Sequence, residues 1–236
     1  MNGHEVWKAF VSGSSEPFID LFRKRYEENG DVGAQANLGF ALLDVGKSDE
    51  AASIFEDVNS KQKYLSDAGL IILGVCYWFS RRVSEAMDSW HRALRAEYTD
   101  SAGGISGPTA VWYGALRLND KALCVRMEEK LSKFWRKDLE GRDHKGELNW
   151  PRPIAAYLTH QIDSKILLEW HSRNEILEVR RLCQAHFWIA VKSPDVNEAR
   201  KHFLNASENK RAILEFEYFL AKWELEQSAK SAKRVI

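Results

Sequence analysis

Histidine and cysteine side chains are the groups in this sequence whose spacing could support metal binding or nucleophilic chemistry. Cys183 and His186 lie three residues apart, which places both on one face of a helix, and His202 could lie on the paired helix. Thiolate and imidazole groups are zinc ligands, but structural zinc sites normally use four of them, and neither C-x-x-C nor H-E-x-x-H occurs. We therefore predict no metal site.

Catalytic patterns are equally incomplete. Neither an orienting acid nor an oxyanion loop accompanies Cys183 and His186 as a nucleophile and base. The glycine-rich segment 101–108 lacks the Lys-Ser/Thr pair of a phosphate-binding loop, and no predicted strand precedes it. We predict that the chain is not an enzyme and takes no cofactor. A site assembled from His160, His171 or His186 with nearby acids is the alternative.

Composition narrows the classes of protein further. The 236 residues are 44% hydrophobic and 29% charged, which is the balance of a soluble globular chain. Thirty-four basic and thirty-four acidic residues cancel, whereas proteins that grip a nucleic-acid backbone carry a basic excess. Five prolines and fourteen glycines are too few for the many turns of a β-sandwich or barrel. We expect a helical protein that does not bind nucleic acid.

The sequence also predicts a cytoplasmic protein that does not enter the membrane. The N-terminal residues show no basic region followed by an apolar one, as a secretory signal would. The longest apolar stretch, 68–79, is much shorter than the roughly 20 residues that cross a bilayer. Cys76, Cys124 and Cys183 are widely spaced among apolar residues, which is typical of free buried thiols in a reducing compartment.

Two segments, 37–58 and 72–94, repeat one pattern with a period of 35 residues. At the aligned positions the residue types agree: Leu38-Gly39 with Leu73-Gly74, Ala51 with Ala86, Phe55 with Trp90, and Val58 with Ala93. A glycine or alanine at a fixed place lets a neighbouring helix approach closely. The aromatic residue four positions after the alanine lies one turn further along the same face. The period suits one helical hairpin.

This pattern resembles the tetratricopeptide repeat (TPR), in which Leu-Gly and a bulky residue are followed by Ala, an aromatic residue and Ala. Leu42 and Tyr77 occupy the bulky position. The resemblance implies a solenoid of helical hairpins. A third copy near the C-terminus keeps the spacing with Ala199, Phe203 and Ala206. Phe187 replaces its small glycine, so this hairpin is expected to pack differently.

We therefore predict a single all-α domain over 1–236, a TPR-like α-solenoid of about ten to twelve helices in antiparallel pairs. Its expected parts are an N-terminal helical cap at 1–31, two clear repeats at 32–100, divergent helical hairpins at 101–179, a C-terminal repeat at 180–211, and a capping helix with a polar tail at 212–236. Short polar residues are expected to cap helix N-termini: Asp49 or Ser48, Ser84, Asp163 or Ser164, and Asp195 or Asn197.

The segment 150–206 carries a second resemblance. Its matching residues are Trp150, Pro151, Pro153, Tyr157, Ile162, Asp163, Cys183, Ala185 and Phe187. This pattern looks like the C-terminal part of TPR proteins related to bacterial outer-membrane TPR lipoproteins. The signal peptide and lipidated cysteine of such lipoproteins have no counterpart here, so the resemblance implies an adaptor-like bacterial TPR domain without the membrane anchor.

In the TPR family, the first helices of the hairpins line a concave groove that binds a peptide or a helix. The family's inward positions predict these partner-binding residues: Phe40, Leu43, Ile71, Val75, Trp78, Arg181, Gln184 and Trp188. Further inward positions are Gly33, Ala36, Ala68 and Val191. Ala36 and Phe40 stand where chaperone-binding members carry lysine and asparagine, so a carboxylate clamp is not expected. Coverage of Phe40 and Trp78 by the N-terminal helix at 4–11 is the alternative.

These features together predict a protein-binding scaffold or adaptor that holds a peptide, a helix or a folded partner without catalysis. A narrower alternative is a bacterial immunity protein or antitoxin that blocks a cognate toxin. The zero net charge argues mildly against a very basic toxin, because electrostatic steering would favour an acidic inhibitor. A further alternative is a structural subunit that forms homodimers through the end of its stack.

Overall fold

The structure, a computed structural model, describes residues 3–62, 66–99, 104–139, 150–172 and 174–233. Within these ranges the chain forms thirteen α-helices and a 3-10 turn, with no strand. Consecutive helices pack against each other in adjacent pairs. The predicted all-α, solenoid-like class is confirmed, with one helix more than the ten to twelve expected.

The helices follow the chain in short, regular segments. The first six are α1 (Gly3–Phe10), α2 (Glu16–Asn29), α3 (Val32–Asp44), α4 (Ser48–Ser60), α5 (Asp67–Phe79) and α6 (Val83–Ala93). The other seven are α7 (Ser106–Arg117), α8 (Lys121–Leu139), α9 (Arg152–Leu158), α10 (Ser164–Glu169), α11 (Glu175–Lys192), α12 (Val196–Glu208) and α13 (Phe216–Lys233), with the 3-10 turn at Lys210–Ala212. None of these helices, in the ranges described, combines the length and apolar character needed to cross a bilayer.

Contacts within the chain cluster in two compact units, Met1–Tyr98 (unit 1) and Thr99–Ile236 (unit 2). Unit 1 contains α1 to α6, and unit 2 contains α7 to α13. The division falls close to residue 100, where the two clear repeats were predicted to end. The assignment of the whole chain to one domain stays a prediction.

Unit 1 has the close helix packing that its repeated glycines predict. A Cβ atom on Gly39 of α3 would lie only 2.7 Å from two ring carbons of Phe55 on α4. A Cβ atom on Gly74 of α5 would overlap the indole nitrogen of Trp90 on α6, and this nitrogen donates a 3.0 Å hydrogen bond to the Ile71 carbonyl. Both hairpins therefore use a glycine on the first helix to seat an aromatic ring from the second.

Four helices, α3, α5, α7 and α9, end in the same Schellman motif. Each is followed by a residue in the left-handed region: Gly46 (φ 81°), Arg81 (φ 63°), Asn119 (φ 58°) and His160 (φ 59°). The N–H of that residue bonds to the carbonyl three positions back, and the next N–H bonds to the carbonyl five positions back. The same turn thus recurs in both units at intervals of 35, 38 and 41 residues, although its sequence changes.

The predicted helix caps are partly confirmed. The carboxylate of Asp163 accepts a hydrogen bond from the Ile166 N–H at 2.8 Å, and Asp195 caps α12 in the same way. The caps predicted for α4 and α6 are wrong. These helices begin directly after the turns, at Ser48 and Val83, so the expected capping residues lie inside the first helical turn and no side-chain cap forms.

Unit 2 is built around bulky aromatic contacts. Phe187 of α11, which replaces the small glycine of the pattern, is fully buried and packs against Tyr113 of α7 and Phe203 of α12. The ring centroids lie 5.6 and 5.9 Å from that of Phe187. The expected difference in packing is therefore a ring cluster in place of a glycine contact.

Candidate binding site

The five predicted groove residues of unit 1 are mostly buried. Leu43, Ile71, Val75 and Trp78 are all buried, and Phe40 is half-buried. The ring of Phe40 contacts Phe55 at 5.2 Å, and the ring of Trp78 contacts Trp90 at 5.4 Å between centroids. A partner could reach the four buried side chains only after displacing other parts of the chain. Their place in a groove stays a prediction that their burial does not support.

The three predicted groove residues of unit 2, Arg181, Gln184 and Trp188, are also buried. All lie on α11 and belong to one polar network that includes the segment at the start of α13. The inward side of α11 is thus occupied by residues of its own chain. Their assignment as partner contacts likewise stays a prediction that their burial does not support.

Arg181 is the most deeply buried cation of this network, with 2% of its surface exposed. Its guanidinium donates two hydrogen bonds to the Glu178 carboxylate, at 2.8 and 2.7 Å, and a third to the Leu167 carbonyl at 3.3 Å. The bonds from Arg181 are the main reason why the pKa of Glu178 falls to about 2. The guanidinium also stacks over the Trp150 ring, 5.5 Å from its centroid.

Gln184 connects two sides of the network through its amide. Its oxygen accepts a 2.6 Å hydrogen bond from the indole N–H of Trp150, and its nitrogen donates a 2.8 Å bond to Glu215. The other oxygen of Glu215 accepts a hydrogen bond from Arg180, which is partly exposed. The Glu215 carboxylate is therefore paired with a cation and an amide.

Glu217 is the most unusual group of the network. One carboxyl oxygen accepts a 3.1 Å hydrogen bond from the indole N–H of Trp188, while the other has no hydrogen-bond partner among the described residues. Only 2% of the residue is exposed. Burial, reinforced by the charge of Glu215, raises the pKa of Glu217 to about 8. The site therefore favours the neutral form of the Glu217 carboxyl group near pH 7.

Sequence reasoning missed the carboxyl side of this network. Glu215 and Glu217 stand in the otherwise apolar run 212–221, and two acids at i and i+2 in such a run are a signal of buried polar chemistry. In the sequence, Trp150 stands out only as part of a family pattern. Because Trp150 lies 34 residues from its partner Gln184, no local spacing could have connected them.

Unit 1 contains an open cleft between α1, the end of α2 and the first half of α3. Its cavity volume is about 150 Å³. Its lining residues are Gly3, Val6, Trp7, Phe22, Arg25, Asp31, Gly33, Ala34 and Asn37. Val6 and Phe22 are buried and form an apolar floor with Trp7, while Asp31 and Asn37 supply polar groups. One of the predicted inward positions, Gly33, lines this cleft.

Three of the histidines in the part of the chain that the structure describes belong to the alternative catalytic site, and each has a different neighbour. His160 contacts Lys192, His171 contacts Glu178, and His186 contacts His202. Burial raises the pKa of the Cys183 thiol, which lies near the carboxyl groups of Glu217 and Glu215, so this thiol stays protonated and is a poor nucleophile. Among the described residues, no group of three or more His, Cys, Asp or Glu side chains could hold a metal ion.

Comparisons with known proteins add no family to this description. No protein-family model matches the chain, and no curated protein matches its sequence. The resemblance to the TPR family therefore stays a prediction from the repeated residues.

Proposed function

We propose that this chain is a TPR-like scaffold that binds a protein partner and performs no reaction itself. The observation that carries the proposal is the recurrence of one hairpin design: four helices end in the same left-handed turn, and two hairpins seat an aromatic ring on a glycine. Tandem hairpins stack into extended surfaces, and repeat proteins of this kind use those surfaces for binding.

The cleft in unit 1 is the contact site that we propose for the partner. It is open to solvent and combines the Trp7 indole with the polar groups of Asp31 and Asn37. Partly buried tryptophans are frequent anchors of protein interfaces, and polar groups at the rim fix the orientation of a bound segment. Gly33, the first of the predicted inward positions, lines this cleft, so the proposed site overlaps the start of the predicted groove. We expect an apolar side chain of the partner to enter the cleft.

A pair of matched variants tests this proposal. Asn37→Arg places a long charged side chain in the cleft, whereas Ser53→Arg makes the same charge change on the exposed face of α4. Partners captured from the native organism would first be identified and purified, and their affinity for the wild type and both variants would then be measured by titration. We expect Asn37→Arg to weaken binding at least tenfold and Ser53→Arg to leave it unchanged.

Two other outcomes would count against the proposal. A partner that binds the folded Asn37→Arg variant with full affinity would place the contact site elsewhere. A chain that binds no protein would contradict the scaffold itself. In that case light scattering would show whether the chain instead forms the homodimers of a self-associating structural subunit.

One observation favours the narrower immunity or antitoxin function. The zero net charge of the chain divides unequally, because unit 1 carries fifteen acidic and eleven basic residues. An acidic unit suits a basic partner, since complementary charge accelerates encounter. If this function is correct, the purified partner will be toxic to cells, and co-expression of this chain will restore their growth. A harmless partner would leave only the general scaffold function.

The cytoplasm is the compartment that we propose for this activity. Cys76, Cys124 and Cys183 are all free, and two of them are buried. Free thiols persist in reducing compartments, whereas secreted domains usually oxidise theirs. Cell fractionation with an antibody against the chain would test the assignment, and recovery in the periplasmic fraction would contradict it.

A further inference from the structure

His186 on α11 and His202 on α12 meet across the last helical hairpin. Their Nδ1 atoms lie 2.8 Å apart, and their ring centroids are separated by 5.0 Å. Both side chains are half-buried, so the pair remains within reach of solvent. The two residues are sixteen positions apart in sequence, and the packing of α11 on α12 is what brings them together.

A contact of two ring nitrogens has a definite chemical requirement. One Nδ1 must carry a proton that the other accepts, because two facing lone pairs would repel each other. Burial, together with the neighbouring ring, lowers the pKa of His186 to about 4, so this ring is neutral near pH 7. When the proton moves to the far nitrogen of its ring, both Nδ1 lone pairs become available to one shared cation.

We propose that His186 and His202 form a two-histidine binding site for a late first-row divalent metal ion, such as Zn²⁺, Ni²⁺ or Cu²⁺. Neutral imidazole is a preferred ligand of these ions, whereas Mg²⁺ and Ca²⁺ select oxygen. Two Zn–N bonds of 2.0–2.1 Å at a tetrahedral angle require the nitrogens to lie about 3.3 Å apart. The pair therefore needs to open by about half an ångström, which small ring rotations provide. Water would fill the remaining coordination positions.

The surroundings of the pair are compatible with such an ion. Arg181 is the cation whose charge acts on His186, and it is neutralised by its two bonds to Glu178. Glu198 and Lys201 act on His202 with opposite charges. Cys183, three residues before His186, interacts instead with Glu215 and Glu217, so the ligand set differs from the Cys-His combination that its spacing suggested.

Calorimetric titration of the full chain with Zn²⁺ at pH 7.5 tests the site. We expect one ion to bind each chain, with affinity at least tenfold lower in His186→Gln and in His202→Gln. The control His4→Gln removes an exposed histidine of unit 1 and is expected to bind like the wild type. Mg²⁺ serves as the control ion and is expected not to bind.

A second readout identifies the ligands directly. With Cu²⁺ as the probe, electron paramagnetic resonance is expected to show coordination by two imidazole nitrogens in the wild type and by one in either variant. Circular dichroism establishes that the variants fold, and either variant alone suffices for the comparison. Absence of saturable Zn²⁺ binding, or equal affinity in the wild type and both folded variants, would overturn the proposal.

Discussion

Glu217 illustrates how a single buried side chain makes the stability of unit 2 depend on pH. One oxygen of its carboxyl group accepts a hydrogen bond from Trp188, and the second oxygen has no hydrogen-bond partner within the described part of the chain. Ionisation would leave a buried charge without a cation of its own, because the arginines of the network are paired with Glu178 and Glu215. The folded state therefore holds a proton that the unfolded chain releases.

Glu217→Gln is expected to stabilise the protein increasingly as the pH rises. The pKa of Glu217 is about 8 in the folded state against an ordinary value of 4.5, so the folded state binds more protons between these values. The stability that Glu217 contributes is fully present below pH 4.5 and is lost as the pH rises through 8. Glutamine keeps an oxygen for Trp188 but cannot ionise.

Urea unfolding at pH 5, 6, 7 and 8 checks this prediction. The free energy of unfolding of the variant, relative to the wild type, is expected to increase steadily over this range. Equal pH dependence of the two proteins would show that Glu217 does not titrate in this interval. Glu208→Gln, an exposed change on α12, is the matched control.

Gly74→Ala is expected to destabilise unit 1 by about 1–3 kcal/mol, the usual cost of overfilling a packed core. The new methyl group would overlap Trp90, which is fully buried and fixed by its bond to Ile71. Alanine normally favours a helix by about 1 kcal/mol over glycine, so the steric cost must exceed that gain. Gly3→Ala is the control because nothing lies within 4 Å of its Cβ position. Denaturant unfolding that shows a gain for Gly74→Ala would contradict the close contact.

At the scale of helices, the backbone conformation of the Schellman turn is the same at all four helix ends, whereas the residue types that form it differ. Gly46 marks the first Schellman turn by its residue type, whereas Arg81, Asn119 and His160 adopt the same left-handed conformation without glycine. Left-handed backbone costs an L-residue roughly 1–2 kcal/mol, so the surrounding hairpin must enforce it. The recurrence of this turn in both units could not be derived from glycine positions.

Gly46→Ala is expected to lower the free energy of unfolding by about 1 kcal/mol, whereas Gly46→Asn should cost less than half as much. No atom lies within 4 Å of the Cβ position, so the effect comes from the backbone alone. Asparagine tolerates this conformation, as Asn119 does at the end of α7. Thermal unfolding of both variants provides the measurement, and equal losses would show that the left-handed turn is not the cause.

The sequence predicted the hairpins of unit 1 well because small and aromatic residues recur there at fixed spacing. It predicted the binding face poorly, because α5 is apolar on nearly every side and nine of its thirteen residues are buried. Periodicity alone cannot then tell an inward groove position from the core. In unit 2, Arg181 and Gln184 suggested a mixed groove. Apart from Glu178 on the same helix, their partners lie 13 to 34 residues away and depend on tertiary packing.

For the molecule as a whole, the net charge is zero, but the two units carry opposite net charges, and this difference bears on their partners. Unit 1 carries an excess of four acidic residues, and unit 2 carries an equal basic excess. Exposed large apolar side chains are concentrated in unit 2. Nine of the eleven among the described residues belong to it, including Ile176 and Leu177. The two units therefore offer different surface chemistry to a partner, polar and acidic in one case and more apolar in the other.

Hydrogen exchange is expected to reveal one strongly protected centre in each unit. In unit 1 this is α5, and in unit 2 it is α7, where nine of twelve residues are buried. By contrast, α1 and α10 bury only two and one residues, so their amides should open locally at much lower free energy.

Mass spectrometry of peptic fragments, after exchange from seconds to hours, provides the measurement. The slowest amides in peptides from α5 and α7 should exchange at least a hundredfold more slowly than those in peptides from α1 and α10. If α10 proved as well protected as α7, burial within unit 2 would not determine its local stability. Addition of Zn²⁺ offers an internal check, because an ion held between α11 and α12 should slow exchange in these two helices and leave α5 unchanged.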